Sequence, residues 1–152
     1  MKLAVSSDHR GFPAKEHIKQ YLESKGLEVI DLGCDSQTSC DYPDMGISGA
    51  QAVANGDADL AILLCGTGIG MSISANKVRG IRAALCHDEL TAGLSRRHND
   101  ANVLCLPADL IGEELTRRIV DVWLDTSYEG GRHARRLKKI TDFEANGKPD
   151  RP

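Results

Sequence analysis

Short apolar runs alternate with amphipathic stretches along the whole chain, and this alternation restricts its possible folds more than any other feature. The apolar runs predict strands over residues 2–6, 28–32, 60–64, 81–86 and 102–106. The amphipathic stretches predict helices over 13–25, 47–54, 89–97 and 112–124, a short helix ending near 76, and a basic C-terminal helix over about 132–146. Strands that alternate with helices predict an α/β fold, in which a parallel sheet carries helices on both faces.

The composition is typical of one globular domain spanning residues 1–152. Apolar residues make up 41% of the chain and charged residues 27%, and the net charge of −3 argues against a nucleic-acid-binding protein. No apolar run is long enough to span a bilayer, and the N-terminal residues lack the apolar region of a signal peptide. The five cysteines form no Cys-x-x-Cys pair, which argues against a disulfide framework. We therefore expect a cytoplasmic protein without a membrane partner, and a frayed tail at 147–152.

The segment Cys65-Gly66-Thr67-Gly68-Ile69-Gly70 follows the apolar run at 60–64. A glycine loop between a buried strand and a helix directs backbone N–H groups at whatever binds there, so it suits an anion. The loop begins with a thiol, and a cysteine in such a positive field loses its proton more readily than a free cysteine. The segment therefore predicts a binding site with a chemical function, in which Cys65 acts as a base or a nucleophile.

The glycine loop also shares features with nucleotide-binding loops. The dinucleotide-binding pattern requires a third glycine three residues after the second, but Gly70 follows Gly68 by only two residues. Asp88, which follows the next predicted strand, has the place of the ribose-binding acid in such a domain. No Gly-Lys-Ser/Thr sequence closes the loop, which excludes a P-loop. A non-catalytic nucleotide-binding module and a purely structural turn remain alternatives.

Ligands of parallel α/β sheets bind outside the carboxyl ends of the strands. This rule selects the loops at 7–11, 65–70 and 86–88. We expect the polar segment 98–100, between a helix and the fifth strand, to lie close to these loops. The sequence therefore predicts one site, formed where several strands end.

Two pairs of polar residues are further candidates for this site. Asp8 and His9 directly follow the first strand, where the alternative role is a helix cap beside a solvated histidine. Arg132 and Arg136 share one face of the basic helix and suit a phosphate group, the alternative being a solvated basic face. No His or Cys pair has the spacing of a zinc site, so the sequence predicts no bound metal ion.

Six motifs are distributed along the chain, from residue 8 to residue 133. They are DHRGF at 8–12, DYPD at 41–44, CGTGIGMSISANK at 65–77, GIRAA at 80–84, RHNDANVL at 97–104 and GGRH at 130–133. As a set, and in this order, they resemble the ribose-5-phosphate isomerase B family, which also includes galactose-6-phosphate isomerase subunits. The resemblance implies a Rossmann-like, three-layer α/β/α sandwich with a five-stranded parallel sheet. It further implies an aldose–ketose isomerase of phosphorylated sugars that needs neither metal nor cofactor, and a homodimer or tetramer whose sites are shared between subunits.

The resemblance also implies a role for each residue of the site. Cys65 is the base that moves a proton between C2 and C1, Thr67 assists transfer between the two oxygens, and His98 opens the sugar ring. The backbone amides that hold the enediolate oxygen belong to Gly66, Thr67, Gly68, Ile69 and Gly70. The residues that bind the rest of the substrate are Asp8 and Asn99 for hydroxyl groups, and His9, Arg132 and Arg136 for the phosphate.

One departure from the family pattern concerns the phosphate site. This chain has Pro107-Ala108-Asp109 where the family usually carries a phosphate-binding arginine. An aspartate repels a phosphate, so either the sugar differs or another residue compensates, and Arg10 is a candidate for that role. The expected reaction interconverts ribose 5-phosphate and ribulose 5-phosphate through a cis-enediolate. A tetrose phosphate, or a hexose phosphate such as allose or galactose 6-phosphate, is the alternative substrate.

Overall fold

The computed structural model describes residues 1–146, which form five strands and six helices. The strands are β1 (Lys2–Ser7), β2 (Glu28–Asp31), β3 (Leu60–Cys65), β4 (Ala83–Leu85) and β5 (Val103–Pro107). The helices are α1 (Phe12–Ser24), α2 (Tyr42–Ala54), α3 (Ile69–Ala75), α4 (Glu89–Asn99), α5 (Glu113–Asp125) and α6 (Arg132–Asn146). All strand pairs are parallel, in the order β2-β1-β3-β5-β4. The predicted five-stranded parallel sheet is confirmed.

Both faces of the sheet are buried, because the side chains of the central strand β3 alternate between two apolar clusters. Leu60, Ile62 and Leu64 join one cluster, which residues of α1 and α5 complete. The intervening residues Ala61 and Leu63 join the other, which residues of α2 and α3 complete. Burial on both faces explains why the run reads as continuously apolar rather than alternating. The result is the predicted three-layer α/β/α sandwich.

Three elements differ from the sequence prediction by more than one residue at one of their ends. Helix α2 begins at Tyr42 rather than at 47, because Pro43 occupies the first turn, where its missing N–H costs no hydrogen bond. Strand β4 is only three residues long, since it lies at the edge of the sheet and pairs with β5 alone. Helix α4 continues to Asn99, and Asp100 ends it in the left-handed conformation with φ of 45°. His98 and Asn99 are therefore helical residues, not loop residues as predicted.

Within residues 1–146, no helix combines the length and the apolar composition that crossing a membrane requires. The predicted frayed tail at 147–152 lies outside the described residues.

Candidate active site

The Cys65 thiol ends the central strand and points into the glycine loop. The residue is only 4% exposed, and its Sγ accepts a hydrogen bond from the backbone N–H of Gly68 at 3.2 Å. Gly68 has a φ of 72°, a conformation that glycine adopts without strain, and it turns the chain from β3 into α3. The loop thereby holds the sulfur next to backbone N–H groups, which favour negative charge there.

Three side chains border the loop. A Cβ at Gly66 would lie 2.6 Å from Asp109 Oδ2 and 2.9 Å from Arg10 Nε, so a larger residue does not fit there without displacing them. The ring of Tyr42 packs against Gly70 on the other side. The sequence did not reveal this place of Tyr42 at the site, although its motif DYPD was one of the six that indicated the family.

Arg10 and Asp109 form an ion pair across the start of the loop. The Asp109 backbone N–H donates to the Gly66 carbonyl at 3.0 Å, which fixes the aspartate beside the loop. Arg10 is thus placed where it could meet a phosphate, but the carboxylate of Asp109 already neutralises it. The compensating role of Arg10 remains a prediction.

Asp8 and His9 lie beside the loop, after the neighbouring strand β1. Asp8 is 5% exposed, and its Oδ1 accepts hydrogen bonds from the backbone N–H groups of Arg10 and Gly11, each at 2.9 Å. This oxygen holds the turn into α1, which is the structural role weighed as the alternative. His9 Nδ1 lies 3.2 Å from the main-chain oxygen of Cys40 and 3.3 Å from its nitrogen. The main chain of Cys40 therefore orients the imidazole through one ring nitrogen.

His98 belongs to a second cluster, at the C-terminal end of α4. Its ring stacks on that of His133, with centroids 4.2 Å apart and planes inclined by 7°. Glu129 Oε2 lies 3.9 Å from the Nε2 atom of each histidine. The main chain fixes this arrangement, because the Glu129 N–H donates to the Arg97 carbonyl at 3.0 Å.

His133 is a candidate site residue that sequence analysis missed. It is buried, and burial lowers its pKa, as do the charges of His98, Arg132 and Arg136. A neutral His133 is consistent with the Arg132 guanidinium, whose Nε lies 3.4 Å from His133 Nε2 and can donate to it. Its motif GGRH was the only signal, because a single buried histidine in a basic segment has no periodic pattern.

The strand register separates the two clusters. Cys65 pairs with Pro107 at one end of the β3–β5 ladder, and Ala61 pairs with Val103 four residues earlier, about 13 Å away. The α4 exit returns to the latter end, where the Asn102 carbonyl accepts from the Ala61 N–H at 3.1 Å. The predicted proximity of segment 98–100 to the glycine loop is therefore wrong within one chain, because α4 runs antiparallel to the strands.

The candidate site thus consists of two parts at opposite ends of the strands. The carboxyl edge of the sheet is formed by the carboxyl ends of the strands, and the amino edge by their amino ends. We call the part at the carboxyl edge the thiol half-site; it comprises Asp8, His9 and the loop from Cys65 to Gly70. We call the part at the amino edge the histidine half-site; it comprises His98, Asn99, Arg132, His133 and Arg136.

The histidine half-site includes a possible metal-ligand set. Ligand atoms of His98, Glu129 and His133 all lie within 4.8 Å of one another. Two imidazoles and a carboxylate are a ligand set that suits zinc. The absence of a metal from the reaction therefore stays a prediction from the sequence.

Known proteins match this chain over almost its full length. The model of the Ribose/Galactose Isomerase family matches residues 3–140. The ribose-5-phosphate isomerase B of Escherichia coli is 49% identical over 143 residues, which are 94% of this chain and 96% of that protein. The D-erythrulose-4-phosphate isomerase of Pectobacterium atrosepticum is 43% identical over 145 residues, 95% of each chain.

A solved structure matches the fold as closely. The ribose-5-phosphate isomerase B of Mycoplasma genitalium, with bound ribulose-5-phosphate, superposes with a TM-score of 0.92 at 42% identity. The match covers 96% of this chain and 97% of that one. Sequence and structure agree with the resemblance that the six motifs indicated. The chain belongs to the ribose/galactose isomerase family and is an aldose–ketose isomerase.

Proposed function

We propose that the protein interconverts ribose 5-phosphate and ribulose 5-phosphate through a cis-enediolate, with Cys65 as the base. The family supplies the reaction class, and two relatives named for ribose 5-phosphate support the choice of sugar. The observation that carries the proposal is the thiol of Cys65, which is buried against the amide of Gly68 at the carboxyl edge of the sheet.

The thiol half-site performs the proton transfers. The Cys65 thiolate removes the proton from C2 of the open-chain aldose and returns it to C1. Negative charge then develops on the substrate oxygens, and each well-placed N–H donor stabilises it by about 3 kcal/mol. The Thr67 hydroxyl, which lies 3.4 Å from the Ile69 nitrogen, assists transfer between the two oxygens. No redox cofactor is required, because the proton leaves and returns to the same molecule.

The histidine half-site prepares and anchors the substrate. His98 opens the sugar ring by proton transfer, and its stacking on His133 holds its imidazole in one orientation. Arg132 and Arg136 bind the phosphate, together with His9 of the thiol half-site. When the protein binds the phosphate group, the reacting carbons are held next to the thiol. Holding the reacting groups in this orientation lowers the barrier to proton transfer.

The separation of the half-sites supports a homodimer with sites shared between subunits. Each half-site stands beside large apolar side chains that are exposed in the single chain. Ile69 and Ile73 lie on α3 next to the thiol, and they are 54% and 57% exposed. Ile140 and Phe143 lie further along α6, the helix that begins with Arg132 and His133, and they are 49% and 64% exposed. Packing α3 of one chain against α6 of another buries both pairs and brings a histidine half-site to a thiol half-site.

A panel of sugar phosphates tests the substrate. We expect kcat/KM to be highest for ribose 5-phosphate among tetrose, pentose and hexose phosphates. Asp109 and the erythrulose 4-phosphate relative favour a tetrose phosphate as the second candidate. Near-zero turnover of ribose 5-phosphate, together with rapid turnover of a tetrose or hexose phosphate, would establish that alternative. Failure with every member of the panel would contradict the proposed isomerisation itself.

A further inference from the structure

The segment between β2 and α2 carries two thiols that the isomerase mechanism does not use. The Sγ atoms of Cys34 and Cys40 lie only 2.6 Å apart, although five residues separate them in the chain. Both residues are partly exposed, whereas Cys65, Cys86 and Cys105 are buried. Among the five cysteines, all of which lie in the described part of the chain, this is the pair whose sulfurs are in contact.

The main chain anchors both ends of this segment to the end of β1. The Cys34 N–H donates to the Ser7 carbonyl at 2.7 Å, and the Ser7 N–H donates to the Gly33 carbonyl at 2.6 Å. At the other end, the main chain of Cys40 contacts His9 Nδ1. These main-chain contacts therefore hold the two sulfurs close to each other, as part of the fold of this segment.

We propose that Cys34 and Cys40 are a modification site, at which a peroxide oxidises the two thiols to a reversible intrachain disulfide. With hydrogen peroxide, the Cys34 sulfur attacks one peroxide oxygen, the O–O bond breaks, and Cys34 becomes a sulfenic acid as one water leaves. The Cys40 sulfur then attacks the Cys34 sulfur, and the hydroxyl leaves with the Cys40 proton as a second water. In total, two thiols lose two electrons and two protons, and one peroxide is reduced to two waters.

The chemistry of the two thiols fits this order of events. Burial and the neighbouring Cys34 sulfur raise the pKa of Cys40 to about 11, so Cys40 keeps its proton until the second step. The contact between the sulfurs places Cys40 ready to resolve a sulfenic acid before further oxidation. A disulfide between Cys34 and Cys40 also restrains the main chain of Cys40, which orients His9. The redox state of the two cysteines therefore affects one residue of the thiol half-site.

Cleavage on the N-terminal side of aspartate tests the cross-link without any measurement of turnover. The native protein is treated with graded hydrogen peroxide, its free thiols are alkylated in urea, and it is digested without reduction. Because Asp35 lies between the two cysteines, digestion yields fragments 31–34 and 35–40. We expect these fragments to remain joined, with a mass two hydrogens below the sum of the free thiols, and reduction to separate them. Cys65, which falls in a different fragment, remains alkylatable at the same dose.

Two variants and an unfolded sample complete the experiment. Cys34→Ser abolishes the joined fragments, whereas Cys86→Ser, which changes a buried thiol elsewhere, leaves them unchanged. The proposal is overturned by either of two results: oxidation of Cys65 at doses that leave the pair reduced, or joined fragments only after unfolding in urea. Because turnover is not measured, neither result bears on the proposed isomerase activity.

Discussion

The sulfur of Cys65 is the atom on which the proposed chemistry depends. It is buried at the end of β3, accepts a hydrogen bond from the Gly68 amide and faces a loop bordered by Tyr42 and the Arg10–Asp109 pair. The neighbouring thiols Cys86 and Cys105 are buried too, and burial raises the pKa of each. Burial therefore makes those two thiols poor bases, whereas the Cys65 sulfur lies beside the backbone N–H groups of the glycine loop.

Replacement of Cys65 by alanine tests this role directly. We expect Cys65→Ala to lower kcat at least about a thousandfold, because it removes the proposed base, while the affinity for substrate changes little. Binding is measured by calorimetry and proton transfer by loss of deuterium from C2. The matched control, Cys86→Ala, removes a buried thiol outside the loop and is expected to retain activity. Retained turnover in Cys65→Ala would rule out the base assignment.

At the residue scale, the thiol half-site was predictable because it follows from two local signals. A buried strand ending in a glycine loop locates Cys65 and the loop amides, and the position after β1 locates Asp8 and His9. The contacts of these residues were not predictable. The packing of Tyr42 against Gly70 and the ion pair between Arg10 and Asp109 join segments far apart in the chain, for which the sequence holds no periodic signal.

At the scale of elements, α1 is tied to β2 by a partly buried charge cluster. The Lys15 ammonium is almost fully buried and lies 2.5 Å from Asp31 Oδ1, and Lys19, one turn further along α1, lies 2.9 Å from Oδ2. These two lysines lower the pKa of Asp31, against the effect of its burial. The cluster fixes the end of β2, immediately before the segment that carries Cys34.

Removal of the Asp31 carboxylate is therefore expected to destabilise the fold. We expect Asp31→Ala to lower the free energy of unfolding by about 3 kcal/mol, because a buried ammonium loses its closest partner. The control is Glu28→Ala in the same strand, whose exposed contact with Lys2 contributes about 0–1 kcal/mol. Urea unfolding followed by circular dichroism measures both. Equal effects of the two substitutions would show that the cluster adds nothing beyond a surface ion pair.

Element types were easier to predict than element ends. All five strands lie where the apolar runs predicted, because burial of the central strands on both faces requires runs that are mostly apolar. Hydrophobic periodicity misplaced the start of α2 and the C-terminal end of α4, because Pro43 and the left-handed Asp100 set these two positions. The error at α4 mattered most. A helix that follows a parallel strand returns to the amino edge, and this rule of chain direction would have separated His98 from Cys65.

At the scale of the whole molecule, one chain holds two half-sites that its own fold keeps apart. The strand ladder keeps the half-sites at opposite edges of the sheet, and exposed apolar side chains accompany each of them. A second copy in the proposed homodimer supplies the missing half, and the same contact buries the apolar side chains. The family match gives the activity, whereas the shared site remains a proposal.

Mixing two inactive variants tests the shared site. Cys65→Ala and His98→Ala are each expected to be inactive, since each lacks one half-site. After subunit exchange, half of the dimers contain one copy of each variant. In such a mixed dimer, one of the two sites combines an intact Cys65 with an intact His98. About a quarter of wild-type activity should therefore return. Activity of the mixture and of each variant alone is measured before and after exchange. No recovery, in a mixture shown by native mass spectrometry to contain mixed dimers, would place each site within one chain.

Because the β3–β5 ladder keeps its two ends about 13 Å apart, the proposed shared site ties catalysis in this protein to self-association. Specific activity should then fall on dilution, as the enzyme approaches the dissociation constant of its dimer. At low expression, a cell would contain correctly folded but inactive monomers.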